Sequence, residues 1–364
     1  MSFSQAFEQR ILDESETEVK LPEGLFKKGP SNILKADRDA VAPEKEALVP
    51  EGVIDMHLHY VDFLQQTDGM KALIREMDRG NIAKTVLFGL PVKKKWEYFE
   101  PNMPHYYLDD NSKCYYYALT DRVVAEDYEK LSPAEKKRIA PTLCGFNPTD
   151  KFAIDYVKAM FKKSDIWKGV GELLLRHDDL TNLTLEETAR SNHPGLEEVF
   201  KFCARKRLPV NIHQNSTSVG NHEDFEYLHE IEAVLDHYRK LKLVWAHCGA
   251  SRRVIHKKYW EMVDGMLENH RNLQVDLSWI VYDDIVCKEN SKIPKEVWVE
   301  LITKYPDRFM IGSDLCGHFN YLNNGKKRVT LGKTMARYNT LVSMLPADVA
   351  RKLVWENANK LWFS

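Results

Sequence analysis

The chain has 364 residues, of which 43% are hydrophobic and 29% charged, and its 52 Lys and Arg against 54 Asp and Glu give a formal net charge of −2. These values are typical of an ordinary globular protein and exclude a disordered or collagen-like chain. Because a near-neutral chain offers no broad basic surface, nucleic acid is not an expected partner.

The distribution of cysteines and apolar residues predicts a cytoplasmic protein. None of the six cysteines forms a Cys-x-x-Cys pair, which favours reduced thiols in a reducing compartment. No apolar run approaches the roughly 18 residues of a membrane span, so we expect no membrane partner. The first 20 residues lack the basic start and apolar stretch of a signal peptide.

The N-terminal segment differs from the rest of the chain. Residues 1–50 are polar, show no strand pattern and carry proline at positions 22, 30, 43 and 50. We expect an extended arm over 1–50, packed on one domain over 51–364. The same arm would suit contact with a neighbouring copy in a homo-oligomer.

From residue 53 onwards, short β-branched runs alternate with amphipathic stretches. The runs are apolar throughout, as expected of strands buried on both faces of a sheet. The strand candidates are Val53–His57, Thr85–Gly89, Ile139–Phe146, Gly169–Leu173, Pro209–His213, Lys242–His247, Leu273–Leu277 and Phe309–Ser313.

The stretches between these runs carry helix signals. Met70, Leu73, Ile74 and Met77 follow the i, i+3, i+4, i+7 spacing of an amphipathic helix. Ser132 begins a capping box, in which a glutamate follows three residues later. Further helices are expected over 151–163, 196–203, 228–238, 253–269, 295–305, 333–345 and 347–361.

Eight strands alternating with helices predict an α/β fold with a parallel sheet, and eight is the number that closes a (β/α)8 TIM barrel. The candidate strands span 53–313, close to the ~250 residues typical of that fold. A doubly wound open sheet is the structural alternative.

A long insertion follows the second strand. Residues 92–138 are rich in tyrosine and other aromatic residues, and they far exceed the usual loop length between a strand and a helix. Since the loops after barrel strands form the active-site face, the insertion is predicted to act as a lid or pocket wall. The alternative is a surface subdomain with its own aromatic cluster.

Metal-ligand side chains lie at the ends of five of the predicted strands. His57 and His59 close the first strand as His-x-His, and alternate strand residues share a face. Any one such residue is more often a structural histidine or a helix cap. The complete ordered set, however, predicts a centre for one or two ions, with Zn²⁺ favoured over Mn²⁺ or Fe²⁺. The set is His57, His59, Glu172, His213, His247 and Asp314.

Such a centre has a definite chemistry. Zn²⁺ lowers the pKa of a bound water to about 7, and a neighbouring carboxylate can accept and return the proton. The same ion polarises the carbonyl or phosphoryl oxygen under attack. Two ions would stabilise both the nucleophile and the developing oxyanion.

Several motifs resemble those of the amidohydrolase superfamily, and most closely its amidohydrolase-2 group, which includes the aminocarboxymuconate-semialdehyde decarboxylase branch. The resemblance begins near residue 52 and continues to the C-terminus, but it leaves out 1–50 and 92–138. The matching motifs are D-x-H-x-H at 55–59, P-V-N-I-H at 209–213, W-A-H-C-G at 245–249, I-G-S-D-L at 311–315 and the closing helix at 356–362.

The resemblance implies a first metal site and a proton acceptor. His57 and His59 would bind the more buried ion, and Asp314 would complete its ligands. Asp314 would also take the proton of the attacking water.

The resemblance leaves the number of ions open. His213 and His247 would bind a second ion; alternatively, His213 joins the first ion and His247 polarises the substrate. Glu172 is typical of the two-metal branches, where it bridges the ions, and the decarboxylase branch lacks it. Glu172 would otherwise hold a ligating imidazole in place.

Candidates for substrate contacts lie in the loops after the strands. Arg176 and His177 follow the fourth strand, and a guanidinium there would bind a substrate carboxylate; the alternative is an ion-paired surface loop. Asn215, Trp279 and His318 follow other strands and are predicted to contact substrate. The alternative for each is a purely structural loop residue.

The resemblance and the residues together predict a metal-dependent hydrolase. Its substrate would be a small organic amide, lactone or ester, an anionic one included, cleaved at a C–N or C–O bond. The first alternative is a lyase of the same family, a non-oxidative decarboxylase or hydratase of a carboxylic acid. The second is a non-catalytic barrel that binds a metal or ligand, which the intact donor set argues against.

Overall fold

A computed structural model describes residues 52–364 except 182–183, 185–186, 255 and 324–326. The predicted arm over 1–50 lies outside these residues and stays a prediction. The strands are β1 (Val53–His59), β2 (Ile82–Phe88), β3 (Val92–Lys94), β4 (Cys114–Tyr116), β5 (Ile139–Leu143), β6 (Gly169–Leu175), β7 (Pro209–Gln214), β8 (Lys242–Trp245), β9 (Leu273–Asp276), β10 (Phe309–Met310), β11 (Asn320–Asn323) and β12 (Lys327–Thr330).

Helices fill most of the connections between the strands. Within the described part of the chain, no helix is both long and apolar enough to cross a membrane. The helices are α1 (Met70–Gly80), α2 (Leu119–Glu129), α3 (Pro133–Lys136), α4 (Ala153–Lys163), α5 (Glu197–Lys206), α6 (Leu228–His237), α7 (Tyr259–Asn269), α8 (Glu296–Lys304), α9 (Leu331–Met335), α10 (Asn339–Met344), α11 (Ala347–Arg351) and α12 (Asn357–Trp362).

Eight parallel strands form a barrel in the order β1-β2-β5-β6-β7-β8-β9-β10. The last strand segment returns to the first: the Met56 amide donates to the Ile311 carbonyl at 3.0 Å, and the Asp314 amide donates to the His57 carbonyl at 2.8 Å. The predicted TIM barrel is confirmed, and the open sheet is excluded because the two edges meet.

Apolar side chains fill the interior of the barrel. Inside, Met56, Val86, Val244 and Met310 are buried in one cluster with Trp362 of α12. Trp362 lies against Gly169 at the start of β6, where an added Cβ would stand 2.4 Å from its ring. The C-terminal helix therefore packs at the end of the barrel where the strands begin, opposite the strand-end donors.

Most of the helices predicted from the sequence are present in the structure. Helix α1 buries Met70, Leu73, Ile74 and Met77 as the spacing predicts, and Ser132 forms the predicted capping box. The helix expected from residue 253 begins only at Tyr259. The chain forms turns at 252–253 and 257–258 instead, and Arg253 is ion-paired with Asp179 of another loop.

The insertion begins with a small antiparallel hairpin of β3 and β4. The fully buried Lys94 amine donates to the carbonyls of Tyr107, Asp110 and Ser112 at 2.6–3.2 Å. It also forms an ion pair with the Asp110 carboxylate at 2.7 Å. One buried cation thus holds the loop between the two strands in place, since each lost bond would leave a buried charge or carbonyl unsatisfied.

Tyr338 joins the last two barrel strands, and its removal provides a test of the fold. Its buried hydroxyl lies 2.7 and 2.8 Å from the carbonyl oxygens of Leu277 and Gly312, which share its single proton. We expect Tyr338→Phe to lower the free energy of unfolding by about 1–3 kcal/mol, because two buried carbonyls lose the donor that they share. Urea denaturation measures this change. Tyr98→Phe, at a side chain 96% exposed, is the control, and equal stability of the two variants would contradict the assignment.

Candidate metal centre

The six predicted donors converge at the carboxyl ends of the barrel strands. The Nε2 atoms of His57 and His59 lie 3.4 Å apart. The Glu172 carboxylate lies 3.4 Å from His57 Nε2 and 3.3 Å from His59 Nε2. Its Oε1 lies 3.4 Å from His213 Nδ1 and 3.6 Å from His247 Nε2. One buried carboxylate therefore faces all four imidazoles.

Asp314 faces the same centre from the end of the last strand. Its Oδ1 lies 3.4 Å from Nε2 of both His57 and His59, and its Oδ2 lies 3.9 Å from His247 Nε2. Among the residues that the structure describes, three sets of donor atoms lie close enough together to surround one ion. Two of them consist of predicted donors only: the first ligand group (His57, His59, Asp314) and the second ligand group (Glu172, His213, His247). The third combines His57 and His247 with Asp276.

The spacings fit a metal better than they fit hydrogen bonds. Two ligands about 2.0–2.1 Å from one tetrahedral ion stand about 3.3–3.4 Å apart, and most of the distances are 3.3–3.4 Å. Glu172 Oε1 is buried without a hydrogen-bond partner, which costs free energy unless a cation satisfies it. The residues present therefore fit a divalent ion.

The outward nitrogens of the first two histidines are held by acceptors. His57 Nδ1 donates to Asp276 Oδ2 at 3.1 Å, and His59 Nδ1 donates to the Gly89 carbonyl at 2.8 Å. A proton fixed on Nδ1 leaves the Nε2 lone pair free for a metal. Each ring is thus kept in the tautomer that a ligand requires.

Hydrogen bonds from the outward ring nitrogens also orient the other two histidines. His247 Nδ1 donates to the Ser278 carbonyl at 3.2 Å. His213 is turned the other way, so that Nε2 donates to Asn215 Oδ1 at 3.1 Å and Nδ1 faces Glu172. Asn215, predicted to contact substrate, lies where it orients a ligand. Its substrate contact stays a prediction.

Left-handed turns aim two of the donors. The strand predicted over Lys242–His247 ends at Trp245, and His247 and Cys248 have φ of 54° and 51°. Gly249 follows at φ 72° against the Trp245 ring, where an added Cβ would stand 1.9 Å away. Asp314 likewise has φ 55°. Such φ values are uncommon outside glycine and cluster at functional sites.

The electrostatics of the centre reflect its density of carboxylates. Burial alone lowers the pKa of an imidazole, but Glu172 and Asp276 raise the pKa of His57 to about 9. Asp314 and Glu172 overcome burial in the same way and raise the pKa of His59 to about 10. With the imidazoles neutral, as metal binding requires, the three carboxylates carry a charge of −3. Buried charge of this size requires cations.

Two of the predicted substrate contacts lie beside the ligands. The His177 ring stacks on the His213 ring with centroids 4.5 Å apart, and burial holds the pKa of His177 well below its usual value. The Trp279 ring lies 5.2 Å from the His247 ring and 6.0 Å from the His213 ring. A neutral imidazole and an indole therefore form one wall of the centre.

The other two candidates have partners of their own. Arg176 binds Glu230 through Nη2 and Nε at 2.6 and 3.1 Å and lies over the Tyr227 ring, so a substrate carboxylate would have to displace Glu230. His318 Nδ1 lies 2.9 Å from Asp68 Oδ1. The structure places neither side chain against the ligands, and their substrate contacts stay predictions.

Sequence reasoning missed the arginine next to the wall. Arg252 lies over the Trp279 ring at 4.8 Å from its centroid, and it touches Tyr106 and Tyr107 of the insertion. A signal was present, because two arginines follow the W-A-H-C-G motif within a few residues. The orienting role of Asp276 was also missed, since its partner His57 is distant in sequence.

The hydrogen bond of Asp276 to His57 predicts a measurable effect on metal binding. We expect Asp276→Asn to weaken zinc binding about 10- to 100-fold, because the amide holds the ring less firmly than a carboxylate. Competition with a chelator measures the affinity. Asp264→Asn, at a surface carboxylate paired with Lys304, is the control. Equal affinity in the two variants would contradict the orienting role.

Comparison with solved structures shows the same fold in proteins of low sequence identity. A dihydroorotase from Campylobacter jejuni is 15% identical, with a TM-score of 0.50 over 85% of this chain and 83% of that one. An amidohydrolase from Burkholderia multivorans with bound Zn is 13% identical, with a TM-score of 0.51 over 85% and 99%. An uncharacterized TIM-barrel protein from Bordetella bronchiseptica is 12% identical, with a TM-score of 0.53 over 85% and 98%.

Comparison with curated proteins finds no match. The sequence model of the amidohydrolase family matches residues 180–363, a stretch that includes the candidate ligands His213, His247 and Asp314. The remaining donors lie upstream of the match, and the barrel brings them to the same centre. With its barrel and its motifs, the chain belongs to the amidohydrolase family.

Proposed function

We propose that the protein is a hydrolase that holds two divalent ions, with zinc the first choice, and cleaves a C–N or C–O bond of a small amide, lactone or ester. The observation that carries the proposal is the position of Glu172. Its carboxylate lies 3.3–3.6 Å from the ring nitrogens of four histidines, and a carboxylate shared in this way suits two neighbouring ions.

The first ligand group would hold one ion and the second ligand group the other, with Glu172 facing both. Bound ions of this kind acidify a water molecule and polarise a carbonyl oxygen. Nitrogen and carboxylate donors without thiolates suit zinc, and manganese or iron less selectively. The zinc in the Burkholderia multivorans amidohydrolase agrees with that choice.

Asp314 is the group that would move the proton. In the absence of metal, its imidazole neighbours outweigh burial and lower the pKa of its carboxyl. Bound cations would keep the carboxylate ionised in the same way, so that it can accept a proton at neutral pH. Oδ1 faces the first two histidines, and Oδ2 would take the proton of the attacking water. As the C–N or C–O bond breaks, Asp314 would return that proton to the leaving nitrogen or oxygen.

The remaining residues position and enclose the reaction. His177, neutral at working pH, and Trp279 present flat uncharged rings beside the ligands. Such a wall would exclude bulk water from one side of the substrate and strengthen the charge interactions within the site. Asn215, Ser278 and Asp276 hold the ligating rings in the required orientation.

Metal content per chain tests the two-ion proposal. We expect two equivalents of zinc or a similar ion in protein purified without chelators or a His-tag, as measured by elemental analysis. Glu172→Gln is expected to hold one equivalent or fewer, because a neutral amide is a weaker metal ligand than a carboxylate. Glu76→Gln, at another buried glutamate outside the centre, serves as the control. One equivalent in the unsubstituted protein would favour the lyase alternative, and none after metal soaking the non-catalytic barrel.

Turnover of amides, lactones and esters tests the role of Asp314. We expect Asp314→Asn to fold and to lose activity by about 10²- to 10⁴-fold, since the water loses its proton acceptor. Metal content is measured on the same sample, so that lost metal and lost proton transfer are separated. Asp307→Asn, at an exposed carboxylate paired with Lys352, is expected to retain full activity. Near-normal turnover of Asp314→Asn would exclude the mechanism.

A further inference from the structure

The Trp279 ring lies between Arg252 and the candidate metal ligands His247 and His213. The Arg252 guanidinium packs over the Trp279 ring at 4.8 Å from the centroid, and the other contacts of that ring include His247 and His213. The arginine thus belongs to the wall of the centre.

The hydrogen-bond partners of Arg252 are neutral. Nη2 donates to the hydroxyls of Tyr106 and Tyr107, both at 2.9 Å. Among the described residues, Nε has no hydrogen-bond partner, and Asp179 Oδ2 lies 3.5 Å from it. That carboxylate is bound more closely by Arg253 Nη2, at 2.6 Å. The one ion pair that the described residues give Arg252 is therefore a long one, to a carboxylate that it shares with Arg253.

Arg252 differs from Arg176 in its ion-pair partner. Arg176 forms a two-pronged ion pair with Glu230, as an arginine with a structural role commonly does. Arg252 is held by two phenols, an indole and one shared carboxylate. Its buried Nε keeps a donor that a further anion can satisfy. Cation–π packing and fixed geometry suit an arginine that binds a planar carboxylate.

Both phenols come from the insertion. Tyr107 is buried, and its ring lies 6.2 Å from the His177 ring, while the loop that carries it is held by Lys94. The insertion therefore reaches the wall of the centre and sets the orientation of the arginine. This contact distinguishes it from a surface subdomain separate from the site.

From these contacts we propose that Arg252 recognises a carboxylate of the substrate, in a subsite completed by Tyr106 and Tyr107 of the insertion. The inference rests on the proposed hydrolase function and narrows its substrates to amides, lactones or esters that carry an acid group. The carboxylate would lie against Arg252 while the scissile carbonyl lies at the ligand groups. Arg252 is in this sense a specificity residue, and the proton transfer does not involve it.

Binding of small acids to the zinc-loaded protein tests the subsite without requiring turnover. The probes are succinate, glutarate and adipate, each compared with its monoamide of nearly the same size, by titration calorimetry. One carboxylate is free to bind at the ions, and the second reports on Arg252. We expect at least one diacid to bind about 10- to 100-fold more tightly than its monoamide, the range for a hydrogen bond to a charged group.

Three variants locate the source of the preference. Arg252→Gln is expected to bind diacid and monoamide equally, and Tyr107→Phe to reduce the preference in part because the guanidinium loses an orienting acceptor. Arg253→Gln, at the neighbouring arginine paired with Asp178 and Asp179, is expected to keep the full preference. Zinc content and thermal unfolding are measured on each variant to establish that it is folded and loaded.

The outcomes separate this inference from the proposed function. No diacid preference in the unsubstituted protein would overturn the subsite, and so would an equal loss in Arg252→Gln and Arg253→Gln, which would indicate a general field of positive charge. A zinc content below two ions per chain in the unsubstituted protein would instead overturn the proposed function. The same titration of zinc-free protein would then show whether Arg252 still discriminates between diacid and monoamide.

Discussion

The Glu172 carboxylate is buried at the centre of four imidazoles, and most of the architecture around it serves to keep that arrangement possible. An anion buried there needs positive charge beside it, and a metal ion can supply that charge only if the rings turn their lone pairs inward. Each ring does so because its other nitrogen is bonded outward, to Asp276, to Asn215 or to a backbone carbonyl. The need to orient the rings therefore also determines residues behind them, such as Asp276 and Asn215, whose role is to bond the outward nitrogens.

The barrel provides the rigidity that this arrangement needs. Ligands on different strands keep their separations because the strands are bonded to one another, and the interior below them is filled by side chains such as Met56, Val244 and Trp362. The loops above can then differ without moving the donors. The insertion uses that freedom, since its tyrosines reach Arg252 while its own hairpin is held by a separate buried amine.

The barrel and the donor set were predictable because both depend on local pattern. Apolar runs mark the strands, and each donor directly follows its run, so sequence order alone predicts the meeting point. Arg176 and Arg252 were not distinguishable in this way. One is paired with Glu230 and the other lies against Tyr106 and Trp279, and these partners are brought close only by the fold. The helix expected from residue 253 begins only at Tyr259, and the partner of Arg253 in the turn before it, Asp179, is also distant in sequence.

The first ligand group has a topological consequence. His57 lies on the first strand and Asp314 beyond the last, so an ion bound between them would join two points that are 314 − 57 = 257 residues apart, across the line where the barrel closes. Such an ion acts as a reversible cross-link that closes nearly the whole domain into a ring. Because a ligand stabilises the folded state according to its free concentration, resistance of the seam to opening would follow the supply of metal in the surroundings.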